Sequence, residues 1–114
     1  MSFMVELKNG VALAQVEAHR IGDSYYMDGS TVAKAEISYK YALVLKILDA
    51  DMGLKWLSGK VANDTIARLE IAASQLGTEP GEDTWKIDRG TVGHMLKTLA
   101  GWAKSNPTAV WEVT

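Results

Sequence analysis

Thr31-Val32-Ala33-Lys34-Ala35-Glu36-Ile37-Ser38-Tyr39-Lys40-Tyr41-Ala42-Leu43-Val44-Leu45-Lys46-Ile47-Leu48 is the stretch on which the fold turns, because two different elements fit it. Every odd position from Ala33 to Ile47 is apolar, which is the alternation of a half-buried strand. A single strand of that length would far exceed the usual five or six residues, roughly. Read as a helix, the stretch has Ser30 as N-cap, a high content of Ala, Lys and Leu, and Glu36 four residues before Lys40 in the favourable orientation. The length argument predicts a largely buried helix from Thr31 to about Leu48, with Ala33, Ile37, Tyr41, Val44 and Leu48 as its inward stripe.

Upstream, Val5 and Leu7 alternate with Glu6 and Lys8 and run into Asn9-Gly10, a strong short-range hairpin signal. A turn at Asn9-Gly10 pairs Leu7 with Ala12 and Val5 with Ala14. Val5, Leu7, Ala12, Ala14, Val16 and Ala18 then share one apolar face. The competing element is a helix from Gly10 to Ile21, capped by Asn9 and closed by Gly22. Agreement between turn chemistry and alternation favours the hairpin. Gly22-Asp23 offers a second turn into Ser24-Tyr25-Tyr26-Met27.

Downstream, Leu54, Leu57 and Val61 mark a short helical piece. Asn63 or Asp64 is placed to cap a helix over Thr65–Leu76, with Ile66, Leu69, Ala73 and Leu76 as its core line and Gly77 at its C-terminal end. Residues 77–90 read as a charged loop around Pro80-Gly81, with a short strand expected at Thr84–Ile87. Thr91 caps the clearest helix, whose inward line is Val92, Met95, Leu96, Leu99, Trp102 and Ala103. Ser105-Asn106-Pro107 ends it. Ala109–Val113 alternates as a terminal strand, able to pair with Met4–Lys8 or with Thr84–Ile87. The expected class is α+β: a small antiparallel sheet, made of the N-terminal hairpin and the C-terminal strand, packed against three or four helices in one domain spanning residues 1–114.

Composition narrows the chemistry. The 114 residues are 47% apolar and 23% charged, which is ordinary for a globular domain. Twelve basic and fourteen acidic side chains divide evenly between the two halves, six and seven in each. No charged tail exists, and this weighs against a duplex binder held by phosphate neutralisation. With no cysteine there is no disulfide, thiolate nucleophile or cysteine-held metal, and a reducing, cytoplasmic setting is expected. The first residues lack the pattern of a secretory signal, and the longest apolar run, Tyr41–Leu45, is far too short to cross a bilayer.

No motif for catalysis or cofactor binding survives inspection. Gly22-Asp23-Ser24 matches letters of the nucleophile block of GDSL-type hydrolases, but His94, the only later histidine, does not stand three residues after an aspartate. Asp49-Ala50-Asp51-Met52-Gly53 starts like a calcium loop, yet its glycine comes one position early and Lys60 stands where a bidentate Glu is needed. His19 and His94 have no local ligand spacing, so no metal site is expected. Gly90-Thr91-Val92-Gly93 reads as a helix start rather than a phosphate cradle, and neither glycine-rich nucleotide motif occurs. The last helix lacks the Arg, Asn and Gln that read base edges.

Aromatic residues stand out instead. Trp85 and Lys86 lie in a polar loop, Tyr25 and Tyr26 occupy adjacent strand positions, and Trp111 lies on the terminal strand; these five are the candidate partner-binding residues. The expected function is a non-enzymatic protein–protein interaction or assembly module of accessory type. Its partner would be a second copy of itself, joined through unpaired terminal strand edges, or another protein, with no cofactor and no membrane. Two alternatives are a nucleic-acid-associated regulator, and a small enzyme or ligand binder built on His94, Asp88 and the 77–90 loop.

Overall fold

The computed structural model describes residues 2–16, 25–27, 32–77 and 89–114. Its organising element is strand β1 (Ser2–Asn9), because the chain uses both of its edges. Val5 and Glu6 pair with Ala35 and Lys34 of β4 (Lys34–Ser38) on one side, and with Val113 and Glu112 of β5 (Val110–Val113) on the other. On the β4 side, the end of β1 also pairs with β2 (Ala12–Leu13), and β3 (Tyr25–Met27) flanks β4. All these pairings are antiparallel. The register places Val5, Leu7, Ala35, Ile37, Trp111 and Val113 on one face, and all six are buried. Glu6, Lys8, Glu36 and Glu112 take the opposite face, where Glu112 forms an ion pair with Lys8 and the Ser2 hydroxyl donates to Glu36 at 2.7 Å.

The hairpin forms, with a different turn. Asn9 pairs with Ala12, so the two-residue loop is Gly10-Val11 rather than Asn9-Gly10. Gly10 has φ 69°, and no other residue type among those described has positive φ. A loop opening on glycine meets the type II′ requirement at that one position, whereas Asn9-Gly10 in type I′ would force asparagine to positive φ as well. The amide of Ala14 therefore donates to Leu7 (2.8 Å), in place of the expected Leu7–Ala12 and Val5–Ala14 pairs. This shift preserves the strand's two-residue parity, so Ala14 and Val16 are still buried while Ala12 is exposed. The returning strand is short. Beyond Leu13 the chain pairs with residues 32–33, through a Gln15–Val32 bridge and an Ala33 amide that donates to Ala14 (3.0 Å). The helix alternative fails over residues 10–16, and residues 17–21 lie outside those described.

The expected helix over Thr31–Leu48 is replaced by a strand followed by helical turns. Ala33, just before β4, and Ala35 and Ile37 within it alternate inward at 0–1% exposure while Glu36 faces out. Main-chain groups on the free edge of β1 need partners, and pairing 34–38 there satisfies both strands. At Ser38 the spacing changes. Its hydroxyl accepts the Lys40 amide at 3.3 Å and starts a 3₁₀ turn, Tyr39–Tyr41, that leads into α1 (Ala42–Leu45). From there burial follows helical spacing, with Tyr41, Leu45 and Leu48 each at most 2% exposed. No single element had to account for the whole stretch, and the length argument against a strand therefore does not apply.

Residues 53–57 form a 3₁₀ turn that buries Leu54 and Leu57, while Val61 is partly exposed and bridges Val110. Helix α2 (Ile66–Leu76) buries Leu69, Ala73 and Leu76 as expected, and Ala72 as well; Ile66 is only half-buried. Its start differs from the expected cap: Asn63 and Asp64 belong to a 3₁₀ turn, and Thr65 precedes the helix without a capping side-chain bond. Helix α3 (Arg89–Ser105) begins before Thr91, and all six residues of its expected inward line are buried. A Cβ on Gly93 would fall 1.7 Å from the carbonyl oxygen of Gly77, so the glycine lets α3 rest directly against the end of α2. The buried residues of the sheet and the helices join in one cluster. The architecture is thus α+β, with three α-helices, one of them a single turn, and several 3₁₀ turns among the described residues.

Candidate interaction surface

The expected sticky edges are closed. β1 is central, not terminal in space. The outer edge of β5 is occupied too: Trp111 donates to the carbonyl of Lys60 (3.0 Å) and accepts from Gly59 (2.8 Å), and the Val113 amide donates to the Ser58 hydroxyl (3.2 Å). Neither terminal strand offers the row of free main-chain groups that strand addition needs. Among the described residues, the outward edge of β3 carries no strand pairing.

Trp111 lies in the core of the single chain. It is 1% exposed, and its indole N–H donates to the Thr65 hydroxyl at 2.9 Å, which in turn donates to the Ala62 carbonyl at 2.7 Å. A buried indole needs such a partner, and Thr65, itself fully buried, supplies it. Tyr25 and Tyr26 lie on β3, in register with Ile37 and Glu36. Trp85, Lys86 and the expected Thr84–Ile87 strand lie outside the described residues. His94 is half-buried on α3, where its carbonyl accepts the Thr98 hydroxyl (3.0 Å); among the described residues no ion pair or side-chain hydrogen bond reaches its ring, and Asp88 is not among them. Among the described residues, no cluster of three or more metal-ligating side chains occurs and no helix is long and apolar enough to cross a membrane.

The apolar surface that does emerge lies along α1, the turn after it, and α2. With Tyr41, Leu45 and Leu48 directed inward, a run as apolar as Tyr41–Leu45 must put something outside, and Leu43 is 76% exposed. On α2 the inward residues are Leu69, Ala72, Ala73 and Leu76; Ile71 stands off that line and is 59% exposed. Two open hollows lie between these elements and share Ile47. One is lined by Leu43, Val44, Ile47, Leu76 and Arg89. The other, of about 600 Å³, has Ile47, Ala67 and Ile71 among its walls, with Lys46, Asp49, Arg68 and Gln75 beside them. Isolated exposed apolar residues are common, but a contiguous apolar strip edged by polar groups marks a contact site.

The charges around this strip are lopsided. Among the described residues that line the two hollows, the basic side chains are Lys46, Arg68 and Arg89 and the acidic one is Asp49, which already accepts the Met52 amide at 3.2 Å. The ion pairs among the described residues, Lys8–Glu112 and Lys104–Glu70, involve none of the three cations. The Arg68 guanidinium lies 4.5 Å from the centre of the Trp56 ring, and the Lys60 ammonium lies 4.7 Å from the same ring. Stacking of this kind fixes the direction of an otherwise mobile side chain.

The sequence carried a signal for this strip. Tyr41–Leu45 is apolar on every side of a single helical turn, and Ile71 falls nearly opposite the line Leu69, Ala73 and Leu76 at about 100° per residue. No protein-family model, curated protein or solved structure matches the chain.

Proposed function

We propose that this chain is a non-enzymatic protein–protein interaction or assembly module, and that its contact surface is the α1–α2 face. The supporting observation is the exposure of Leu43 and Ile71, one on each of two open hollows that meet at Ile47. Interface centres are apolar with charged side chains kept to the rim, and arginine is favoured among them; the strip has that make-up. Self-association through terminal strands loses its basis with the closed edges; among the described residues, this helical face and the β3 edge are open to a second copy.

Residues kept for contact, rather than for folding, should be dispensable to stability. Leu43→Ser and Ile71→Ser together are expected to shift the unfolding free energy by no more than about 1 kcal/mol, as exposed substitutions do. A loss of about 3 kcal/mol or more in urea unfolding would show that both side chains serve the core, and the proposed surface would then be withdrawn.

A further inference from the structure

We infer that the α1–α2 face receives an acidic amphipathic helix from a different protein; this rests on the reading of that face as a contact surface. Three observations lead to it. First, the strip lies between helical elements whose main-chain groups are spent within their own turns, so no strand can be added there. Recognition must come from side chains, and an amphipathic helix laid into an apolar groove is the mode that uses side chains alone. The eleven residues of α2 make a track about 16 Å long, which suits about three turns of a docked helix.

Second, the described residues of the rim carry three cations against one carboxylate, although the chain as a whole has a formal net charge of −2. Lys46, Arg68 and Arg89 have no carboxylate partner among the described residues, and Arg68 is held in place by Trp56. Aspartate or glutamate along the flanks of an incoming helix would meet all three. Third, the same charges argue against a second copy. A two-fold dimer sets a patch against itself, and here that would bring cation against cation around the apolar floor.

The test uses the full chain and two synthetic fourteen-residue peptides with identical leucine faces, one flanked by glutamates and the other by lysines. Binding is read by fluorescence anisotropy of the labelled peptide. The glutamate peptide is expected to bind at least about 10-fold tighter than the lysine peptide, a gap that narrows with added salt. Arg68→Glu combined with Lys46→Glu should reverse the preference, and Ile71→Glu should weaken both peptides while leaving the unfolding midpoint in place. Equal binding of the two peptides, or binding of neither, overturns the inference. If neither binds and the chain forms a dimer that Ile71→Glu dissolves, the partner is a second copy: the acidic-helix inference falls and the contact-surface reading stands. If neither binds, the chain stays monomeric, and the two serine substitutions unfold it, both fall together.

Discussion

Thr65 is a polar residue that the fold buries completely, and its hydroxyl both donates to Ala62 and accepts from the Trp111 indole. Thr65→Val keeps the shape and removes both bonds, leaving a buried indole N–H without an acceptor. The expected cost is about 1–3 kcal/mol in chemical denaturation. In a Trp111→Phe background the same substitution should cost distinctly less, because the orphaned donor is gone; equal costs in both backgrounds would show that the bond contributes nothing. Lys8 makes the other residue-scale prediction. Its hydrogen bond to the Glu112 carboxylate is the main cause holding its pKa above the ordinary lysine value of 10.5, against a smaller opposing effect of desolvation. A raised pKa means that the fold favours the ammonium form. The pair's contribution is complete below the ordinary value and fades as pH rises through the folded one. Glu112→Gln should lower the Lys8 titration midpoint measured by NMR, and an unchanged midpoint would contradict the assignment.

At the scale of elements, one helix predicts opposite outcomes for one substitution. Gly93→Ala drives a methyl into the backbone of Gly77, which cannot move aside cheaply, and should cost about 3 kcal/mol. Gly101→Ala on the exposed side of α3 meets nothing within 4 Å and should stabilise by roughly 0.5–1 kcal/mol. Losses of similar size at both positions in thermal unfolding would mean that the α2–α3 contact is not as close as described. The inward line of α3 was legible in the sequence because Val92, Met95, Leu96, Leu99, Trp102 and Ala103 leave no rival periodicity. The terminal strand was legible for the same reason. Residues 31–48 were not: alternation and helical spacing coexist there, and the switch at Ser38 depends on the open edge of β1, which local sequence does not contain. Nor could the role of Gly93 be read, since Gly77 reaches it only through the tertiary crossing.

At the scale of the molecule, burial accounts for most apolar side chains; among the described residues it leaves Val11, Leu43, Met52 and Ile71 more than half exposed, and of these Leu43 and Ile71 lie on the two hollows. Their neighbourhood combines an apolar floor with cations that lack carboxylate partners among the described residues, and the proposal of an acidic-helix partner rests on that combination. Of the aromatic residues first singled out, Trp111 is core and Trp85 lies outside the described residues; strand alternation says nothing of how helices leave a gap between them. Amide NMR with the glutamate-flanked peptide locates the docking face most directly. Shifts are expected to cluster at residues 43–50 and 67–76, and shifts confined instead to Tyr25–Met27 or to the outer face of β1 and β5 would contradict it.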